Sequence, residues 1–322
     1  MTLSIVVPCY NEEENIQAFY EEILKISFQL QVDIELIFIN DGSNDNTLAI
    51  IKKIAHSDPR VYYISLSRNF GKEAAMLAGL EYARGEAIVL LDADLQHPPS
   101  LIPDMLHKYR QGYDQVIAKR TREGESTFRT LLSKLYYRFM NRFVDVDIVD
   151  GVGDFRLLSR KALNALLALK EYNRFSKGLF SWIGFKEYII EYENVTRGGG
   201  ESKWSFSKLL NYGIDGVISF NNKPLRISIY MGLFVTFLSL LYVGVMLFQI
   251  IVNGIDVPGY FTMISAVLIL GGIQLVFLGI IGEYIGRIYY ESKRRPVYFM
   301  EDENMKMNKI EHTSFVENKF DN

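Results

Sequence analysis

The chain has 322 residues, of which 49% are hydrophobic, and it carries a formal net charge of −3. This length suffices for one large domain or two smaller ones, and the charge balance excludes nucleic-acid binding through bulk positive charge. Cys9 is the single cysteine, so a disulfide within the chain is also excluded, which fits a reducing compartment. The N-terminus has no basic segment followed by a long apolar run, so we expect no signal peptide and a cytoplasmic start.

Short hydrophobic runs alternate with helical patterns over the first 91 residues. In the first helical pattern, Ile16, Phe19, Tyr20 and Ile23 recur at helical spacing. The alternation predicts an α/β fold with a mostly parallel sheet and helices on both faces. The predicted strands are Ser4–Pro8, Ile34–Asn40, Val61–Leu66 and Ala87–Leu91, and the predicted helices are Glu14–Phe28, Thr47–His56 and Glu73–Arg84.

Carboxylates follow three of these strands, at the edge where an open α/β sheet binds its ligand. They are Glu12, Asp41 and the pair Asp92 and Asp94. The pair stands two positions apart after a buried strand, so both carboxylates can face one point. Such oxygen donors suit Mg²⁺ or Mn²⁺ shared with substrate phosphates, whereas the alternative is a solvated acidic turn. The sequence has neither a G-x-G-x-x-G motif nor a P-loop motif, so those nucleotide-binding modes are not supported.

Four motifs, taken in order, resemble those of family 2 glycosyltransferases, which have the GT-A fold. They are Val6–Glu13, Asn40–Thr47, Arg68–Lys72 and Asp92–Gln96, and the similarity extends over about residues 2–215. The pattern is most similar to the polyprenyl-phosphate branch, which includes dolichol-phosphate mannose synthases and bacterial bactoprenol glucosyltransferases. The resemblance implies a GT-A (Rossmann-like) fold and transfer of a sugar from a nucleotide sugar.

The resemblance also implies roles for residues on the donor side. Asp92, Asp94 and Gln96 would hold Mg²⁺ or Mn²⁺ and the diphosphate, and the ion would neutralise the leaving nucleoside diphosphate. The residues implied to line the nucleobase and ribose pocket are Pro8, Tyr10, Glu12, Asp41 and, beside the base, Ala93.

Basic and aromatic residues follow a further predicted strand, Asp114–Lys119. The segment Phe128–Phe143 is amphipathic and rich in aromatic residues, which favours a helix lying in a membrane interface over an ordinary surface helix. Arg120 and Arg129 are candidates to bind a lipid phosphate or the diphosphate, because arginine suits bidentate phosphate binding.

Two further sites follow from the resemblance. Asp154 stands where the family has its acceptor-side acid, so it would orient or deprotonate the acceptor; the alternative is a turn leading into a helix at Ser159–Leu169. Arg197 and Lys203 belong to a glycine-rich segment that resembles the family's Arg-x-x-Gly-Glu-Ser-Lys loop. They would add positive charge over the diphosphate, and a plain flexible loop is the alternative.

The C-terminal third has two long stretches without charge, Ile229–Ile251 and Phe261–Ile281. Each is long enough to cross a bilayer, and a pair of buried soluble helices is the alternative. Lysine and arginine flank the pair on the outer sides only, which places both termini in the cytoplasm. The predicted organisation is a GT-A domain over 1–203, an amphipathic segment over 204–226, a transmembrane hairpin over 227–290, and a polar tail over 291–322 that is disordered from about Met300.

The sequence thus predicts an inverting glycosyltransferase of the cytoplasmic membrane. It would move a sugar from UDP-glucose or UDP-N-acetylglucosamine to undecaprenyl phosphate for cell-envelope glycosylation, with no nucleic-acid partner. Two other interpretations stay open. A processive polysaccharide synthase would share the first half of the chain, although its usual Gln-x-x-Arg-Trp motif is absent. A membrane receptor would bind a nucleotide sugar without turning it over. The oligomeric state, including a homo-oligomer, also stays open.

Overall fold

The computed structural model describes residues 1–121, 152–192, 223–253 and 259–305. The strands at the centre of its sheet have side chains buried on both faces. Along the first strand, Leu3, Ile5 and Val7 belong to one hydrophobic core and Val6 belongs to the other. This two-residue period places a core on each face of the sheet. The first four strands are β1 (Thr2–Cys9), β2 (Asp33–Asn40), β3 (Val61–Leu66) and β4 (Ala87–Leu90).

Helices cover both faces of these parallel strands, as the alternating pattern predicts. They are α1 (Ile16–Leu30), α2 (Thr47–Ser57), α3 (Lys72–Tyr82) and, after a short 3₁₀ turn at Pro99–Leu101, α4 (Ile102–Arg110). Helix α3 lies close to the sheet because its contacting residues are small. A Cβ on Gly79 would lie 2.4 Å from Val6 Cγ1 and 2.5 Å from Ile39 Cδ1.

The second half of the sheet is mixed in direction. Its elements are β5 (Gln115–Arg120), β6 (Val152–Ser159), α5 (Arg160–Ala168), α6 (Ser176–Trp182), β7 (Glu187–Tyr192) and β8 (Met300–Glu303). The described strands follow the order β7-β5-β6-β4-β1-β2-β3-β8. β6 runs antiparallel to both β4 and β5, whereas β5 and β7 run parallel to each other. The fold is therefore GT-A-like and α/β, with a mostly parallel N-terminal half.

Strand β6 corrects one sequence-based interpretation. Asp154 lies inside this strand and not in a turn that leads into a helix. The helix begins after Ser159, whose Oγ accepts a hydrogen bond from the Ala162 N–H at 3.1 Å. The sequence alone did not predict the strand because its pairing partners, β4 and β5, lie far away in the chain.

Strand β8 corrects a second interpretation, the disordered tail from about Met300, for residues 300–305; residues 306–322 lie outside the described residues. Residues Met300–Glu303 pair antiparallel with β3 at the edge of the sheet. Asp302 forms an ion pair with Lys52 at 2.5 Å, and the Met305 side chain is buried with 1% exposure. The acidic composition suggests a solvated tail, but β3 offers unpaired backbone groups that this segment satisfies.

Two long helices stand at the predicted membrane spans, α7 (Lys223–Asn253) and α8 (Tyr260–Lys293). Large apolar side chains on both are exposed, for example Phe248 at 68% and Leu275 at 70%. Among the described residues, the stretch Leu270–Lys293 is long and apolar enough to cross a membrane. The helical state agrees with the expected hairpin, whereas the crossing of a membrane by both helices stays a prediction.

The end of α8 contacts the sheet-containing part of the chain directly. The Tyr290 ring stacks on the Tyr172 ring with centroids 5.7 Å apart, and Glu291 Oε1 accepts a hydrogen bond from the Tyr172 N–H at 2.8 Å. The amphipathic helix expected at Phe128–Phe143, the loop expected around 196–204 and the segment 204–222 lie outside the described residues.

We predict that a chain ending at Val297 is less stable than the full chain, because it loses β8 and the buried Met305 side chain. Loss of one large buried side chain costs roughly 2–5 kcal/mol, so thermal denaturation should shift clearly downward. A matched chain that lacks only residues 306–322 keeps the described contacts of β8 and should unfold like the full chain. Equal unfolding temperatures for both truncations would contradict a stabilising role of β8.

Candidate functional site

An open cleft lies at the carboxyl ends of β1, β2 and β4, beside the start of α3. Its volume is about 340 Å³, which is within the range of ligand clefts. The residues that line it are Pro8, Cys9, Tyr10, Glu12, Asp41, Asn69, Gly71, Lys72, Ala75, Asp92, Ala93 and Asp94. The fold thus brings together the donor-side residues singled out from the sequence, apart from Gln96 and the residues beyond 192.

One wall of the cleft consists of two loops that are fastened to each other. The Asn11 side chain accepts a hydrogen bond from the Asn44 N–H at 2.9 Å, and the Glu12 N–H donates to Thr47 Oγ1 at 2.8 Å. Asn11 has a φ of 54°, a left-handed conformation that asparagine tolerates better than most residues. These contacts hold Tyr10, which is 42% exposed, at the mouth of the cleft.

Asp41 holds the loop that follows β3. Its Oδ1 accepts from the Phe70 N–H at 2.7 Å, and its Oδ2 accepts from the Gly71 N–H at 2.9 Å. Burial raises the pKa of Asp41, and these two hydrogen bonds offset only part of that rise. The neighbouring Gly42 has a φ of 63°, and a Cβ there would lie 2.4 Å from the Arg68 carbonyl carbon. Asp41 therefore organises the cleft through the backbone, besides any contact with a ligand.

Lys72, which lines the cleft, forms ion pairs with two acidic residues. Its Nζ lies 2.7 Å from Asp92 Oδ1, 2.8 Å from Asp92 Oδ2 and 2.6 Å from Asp154 Oδ2. Asp92 follows β4, and Asp154 lies on the adjacent antiparallel strand β6. The fold thus places the predicted donor-side acid and the predicted acceptor-side acid on one ammonium group. Lys72 belongs to the motif Arg68–Lys72, but the sequence alone indicates no role for it.

The charges of this group stabilise each other. Burial by itself would lower the pKa of Lys72, but Asp154 and Asp92 outweigh it and raise that pKa. Burial by itself would raise the pKa of Asp154, but the nearby Lys72 and Lys177 outweigh it and hold that pKa below its usual value. At neutral pH Asp154 is therefore an anion and a weak base, which suits orienting a ligand better than removing a proton.

His97 and Tyr192 support the turn after Asp94, and the sequence alone indicates no role for either residue. The His97 Nδ1 and the Tyr192 hydroxyl form a short hydrogen bond, and the His97 ring packs against Phe155 with centroids 5.7 Å apart. Burial lowers the pKa of His97 and raises that of Tyr192 to about 12, so both are neutral at neutral pH. A Cβ on Gly153 would lie 3.4 Å from His97 Cε1, so this glycine leaves room for the ring.

The donor set fits a hard divalent cation that is shared with a ligand. Asp92 and Asp94 supply carboxylates, and Asp94 Oδ1 accepts from the Gln96 N–H at 3.1 Å, which orients that side chain. In the described part of the chain, no cluster of three or more His, Cys, Asp or Glu side chains could hold a metal ion. Mg²⁺ is commonly bound by one or two carboxylates together with substrate phosphates, so two carboxylates are sufficient.

The remaining predicted residues divide into two groups. Arg120 ends β5, is half-buried, and stands opposite Tyr192 of β7 in the register of the sheet. Arg129, Arg197 and Lys203 lie outside the described residues. Their assignment to the acceptor phosphate or the diphosphate stays a prediction.

The GT-A-like sheet, with carboxylates gathered at the carboxyl ends of its strands, agrees with a glycosyltransferase of the GT-A class. Residues 4–167 match the family described as glycosyl transferase family 2, and residues 223–288 match the GtrB C-terminal hairpin. The chain belongs to glycosyl transferase family 2.

Relatives match along almost the whole chain. Over 303 residues the chain is 58% identical to the putative glycosyltransferase CsbB of Bacillus subtilis (strain 168), covering 94% of this chain and 92% of that protein. It is 42% identical over 307 residues to the bactoprenol glucosyl transferase of Shigella phage SfV, covering 95% and 100%. The crystal structure of mannosyl-3-phosphoglycerate synthase from Rubrobacter xylanophilus has a TM-score of 0.46 and 18% identity, covering 67% and 72%.

We predict that Asp41→Asn lowers the free energy of unfolding, although asparagine has nearly the same size as aspartate. An amide has one acceptor oxygen, so one of the Phe70 and Gly71 N–H groups loses its partner. A buried donor left unsatisfied costs about 1–3 kcal/mol, so loss of one of these partly buried hydrogen bonds should cost about 1 kcal/mol, which denaturant unfolding should detect. The control Asp33→Asn changes an exposed aspartate at the start of β2 and should leave the free energy of unfolding unchanged. Equal stability of both variants would contradict the role of Asp41 as the fastener of this loop.

Proposed function

We propose that this protein is an inverting glycosyltransferase that moves glucose from UDP-glucose to a polyprenyl phosphate at the cytoplasmic face of a membrane. The observation that carries the proposal is the contact of Asp92 and Asp154 with one lysine, which joins the predicted donor-side acid to the predicted acceptor-side acid. The 42% identity to a bactoprenol glucosyl transferase, along 95% of this chain, supports the lipid acceptor and the sugar. UDP-N-acetylglucosamine is the second donor to test.

The proposed reaction forms one bond and breaks one. A phosphate oxygen of the acceptor attacks the anomeric carbon of the sugar, and the bond from that carbon to the diphosphate oxygen breaks with inversion. The electron pair leaves with UDP. Phosphate has a second pKa near 6, so the acceptor is mostly a dianion at neutral pH and brings no proton that must be removed. Asp154, an anion of low basicity, therefore serves to position the attack.

Negative charge develops on the diphosphate as the bond breaks. When bound at Asp92 and Asp94, Mg²⁺ or Mn²⁺ would neutralise this charge as a Lewis acid. The chain itself supplies Lys72 in the cleft, and Arg197 and Lys203 are proposed to add positive charge from the glycine-rich loop. Pro8, Tyr10 and Glu12 line the part of the cleft proposed for the nucleoside.

The acceptor side of the proposal depends on the membrane. The helices α7 and α8 would cross the bilayer as a hairpin, with both termini cytoplasmic. Tethering raises the effective concentration of an acceptor that cannot leave the membrane. Arg120 and Arg129 are proposed to bind the acceptor phosphate, because the arginine fork suits bidentate contact with phosphate oxygens.

The direct test uses membranes that contain the protein, undecaprenyl phosphate and Mg²⁺. Radiolabelled UDP-glucose, UDP-N-acetylglucosamine, UDP-galactose and GDP-mannose are supplied separately, and label is counted in the organic phase. We expect lipid-extractable label from UDP-glucose, lost on addition of EDTA. Binding of UDP without label from any donor would favour a non-catalytic receptor, and label in a long polymer would favour a processive synthase.

We predict that Asp94→Ala lowers turnover by about 100-fold or more. Metal stabilisation of charge is worth several kcal/mol, and each 1.36 kcal/mol corresponds to a factor of ten in rate. The variant should still be inserted in the membrane. Asp33→Ala removes an exposed aspartate far from the cleft and should keep normal turnover as the matched control. Near-normal activity of Asp94→Ala would remove this residue from the metal site.

We predict a different outcome for Asp154→Asn. Turnover should fall strongly while the affinity for the UDP-sugar stays near that of the wild type, because the acid is proposed to act on the acceptor. Equilibrium binding of the UDP-sugar and single-turnover rates separate the two effects. Loss of donor binding in this variant would instead move Asp154 to the donor side.

A further inference from the structure

Lys72 is the first residue of α3, and its backbone is held firmly while its side chain reaches into the cleft. The preceding residues Phe70 and Gly71 donate their N–H groups to Asp41. The Phe70 ring also contacts the Phe299 ring at 6.3 Å between centroids. The ammonium position can therefore change only through the flexible stem of the side chain, which is 45% exposed.

The ammonium contacts both oxygens of Asp92 and one oxygen of Asp154. Asp92 is one of the carboxylates proposed to bind the divalent ion, so Lys72 and that ion compete for the same oxygens. Two cations close together repel each other, and this repulsion is strong in a partly buried site. The divalent ion can bind Asp92 well only when another anion replaces Asp92 as the partner of the Lys72 ammonium, or adds negative charge beside that ammonium.

The diphosphate of the donor is such an anion. We propose that Lys72 is a positioning residue that makes binding of the divalent ion depend on the donor diphosphate, and that it keeps Asp154 in register with the donor. This proposal rests on the proposed function for its ligands. Without donor, the ammonium holds Asp92 and Asp154 together. With donor, Lys72 exchanges Asp92 for the diphosphate oxygens, keeps Asp154, and the ion occupies Asp92 and Asp94.

The consequence is a coupling between two ligands. Coupling is reciprocal, so UDP should tighten Mn²⁺ binding by the same factor by which Mn²⁺ tightens UDP binding. In the wild type, Mn²⁺ alone should bind weakly. Replacing Lys72 with an uncharged side chain removes the competing cation, so Mn²⁺ alone should bind more tightly and UDP should improve its binding less.

The experiment measures free Mn²⁺ by electron paramagnetic resonance during titration of the purified full chain, with and without UDP. We expect Lys72→Met to bind Mn²⁺ alone about tenfold more tightly than the wild type, in line with removal of one nearby positive charge. The enhancement by UDP should shrink by a similar factor. Lys72→Arg keeps the charge and should resemble the wild type in Mn²⁺ affinity. Lys72→Gln provides a second neutral variant if Lys72→Met unfolds.

Two controls fix the direction of the effect. Lys25→Met removes a lysine from an exposed ion pair with Glu22 on α1 and should change neither affinity. In the variant Asp154→Asn, the Lys72 ammonium loses its contact with the Asp154 carboxylate and keeps Asp92. Mn²⁺ in the absence of UDP should therefore bind more weakly than in the wild type. This change is opposite in sign to that of Lys72→Met.

Unchanged Mn²⁺ affinity in folded Lys72→Met and Lys72→Gln, or no Mn²⁺ binding by any variant with or without UDP, overturns the proposal. The titration contains no acceptor and no sugar transfer, so it is independent of the lipid-labelling assay. The expected Mn²⁺ pattern in a protein that forms no lipid-linked sugar would refute the proposed function and leave the coupling intact. Lipid-linked product together with unchanged Mn²⁺ affinities would support the proposed function and refute the coupling.

Discussion

The loop between β3 and α3 is held on three sides, and the geometry of the cleft depends on it. Asp41 accepts hydrogen bonds from two of its N–H groups, Gly42 lets its backbone approach closely, and the Phe299 carbonyl accepts a hydrogen bond from the Ser67 N–H at 2.9 Å. Backbone groups buried without partners are costly, so these contacts restrict the loop to one conformation. The position of the Lys72 ammonium follows from that conformation.

The change of strand direction within the sheet places a second carboxylate next to Asp92. A purely parallel sheet would gather at this edge only residues that follow strands. β6 runs antiparallel to β4, so Asp154 stands opposite the exit of β4. Two carboxylates from strands of opposite direction then meet at one cation. In the proposed reaction this arrangement brings the nucleophile and the electrophile to adjacent sites, where orientation lowers the barrier.

The C-terminal part of the chain connects the long helix α8 to the same loop. After α8 contacts Tyr172, the chain returns to the sheet, where Phe299 contacts Phe70 and β8 pairs with β3. The relation of the cleft to the proposed membrane helices is therefore set at more than one point of contact. A fixed relation of this kind suits an acceptor whose phosphate lies at a constant depth in the membrane.

Much of the fold and part of the cleft could be predicted from the sequence. Burial on a sheet or a helix imposes periods of two and 3.6 residues, so the strands and helices up to Leu90 agree with their predicted positions within a few residues. The motifs also identified the acids at the ends of the strands, because parallel strands present their carboxyl ends at one edge. The family follows from the order of those motifs, and the matches over residues 4–167 and 223–288 confirm it.

The pairings between segments that are distant in the sequence were decided only by the tertiary structure. β6 and β8 depend on partner strands far away in the chain, so neither local composition nor period indicated them. The contacts of Lys72 with Asp92 and Asp154, and of His97 with Tyr192, join residues separated by 20 to 95 positions. The sequence by itself therefore determined the class of fold, the family and the acids of the cleft. The cation that joins those acids was decided by the tertiary structure, because such contacts exist only once the sheet has brought the strands together.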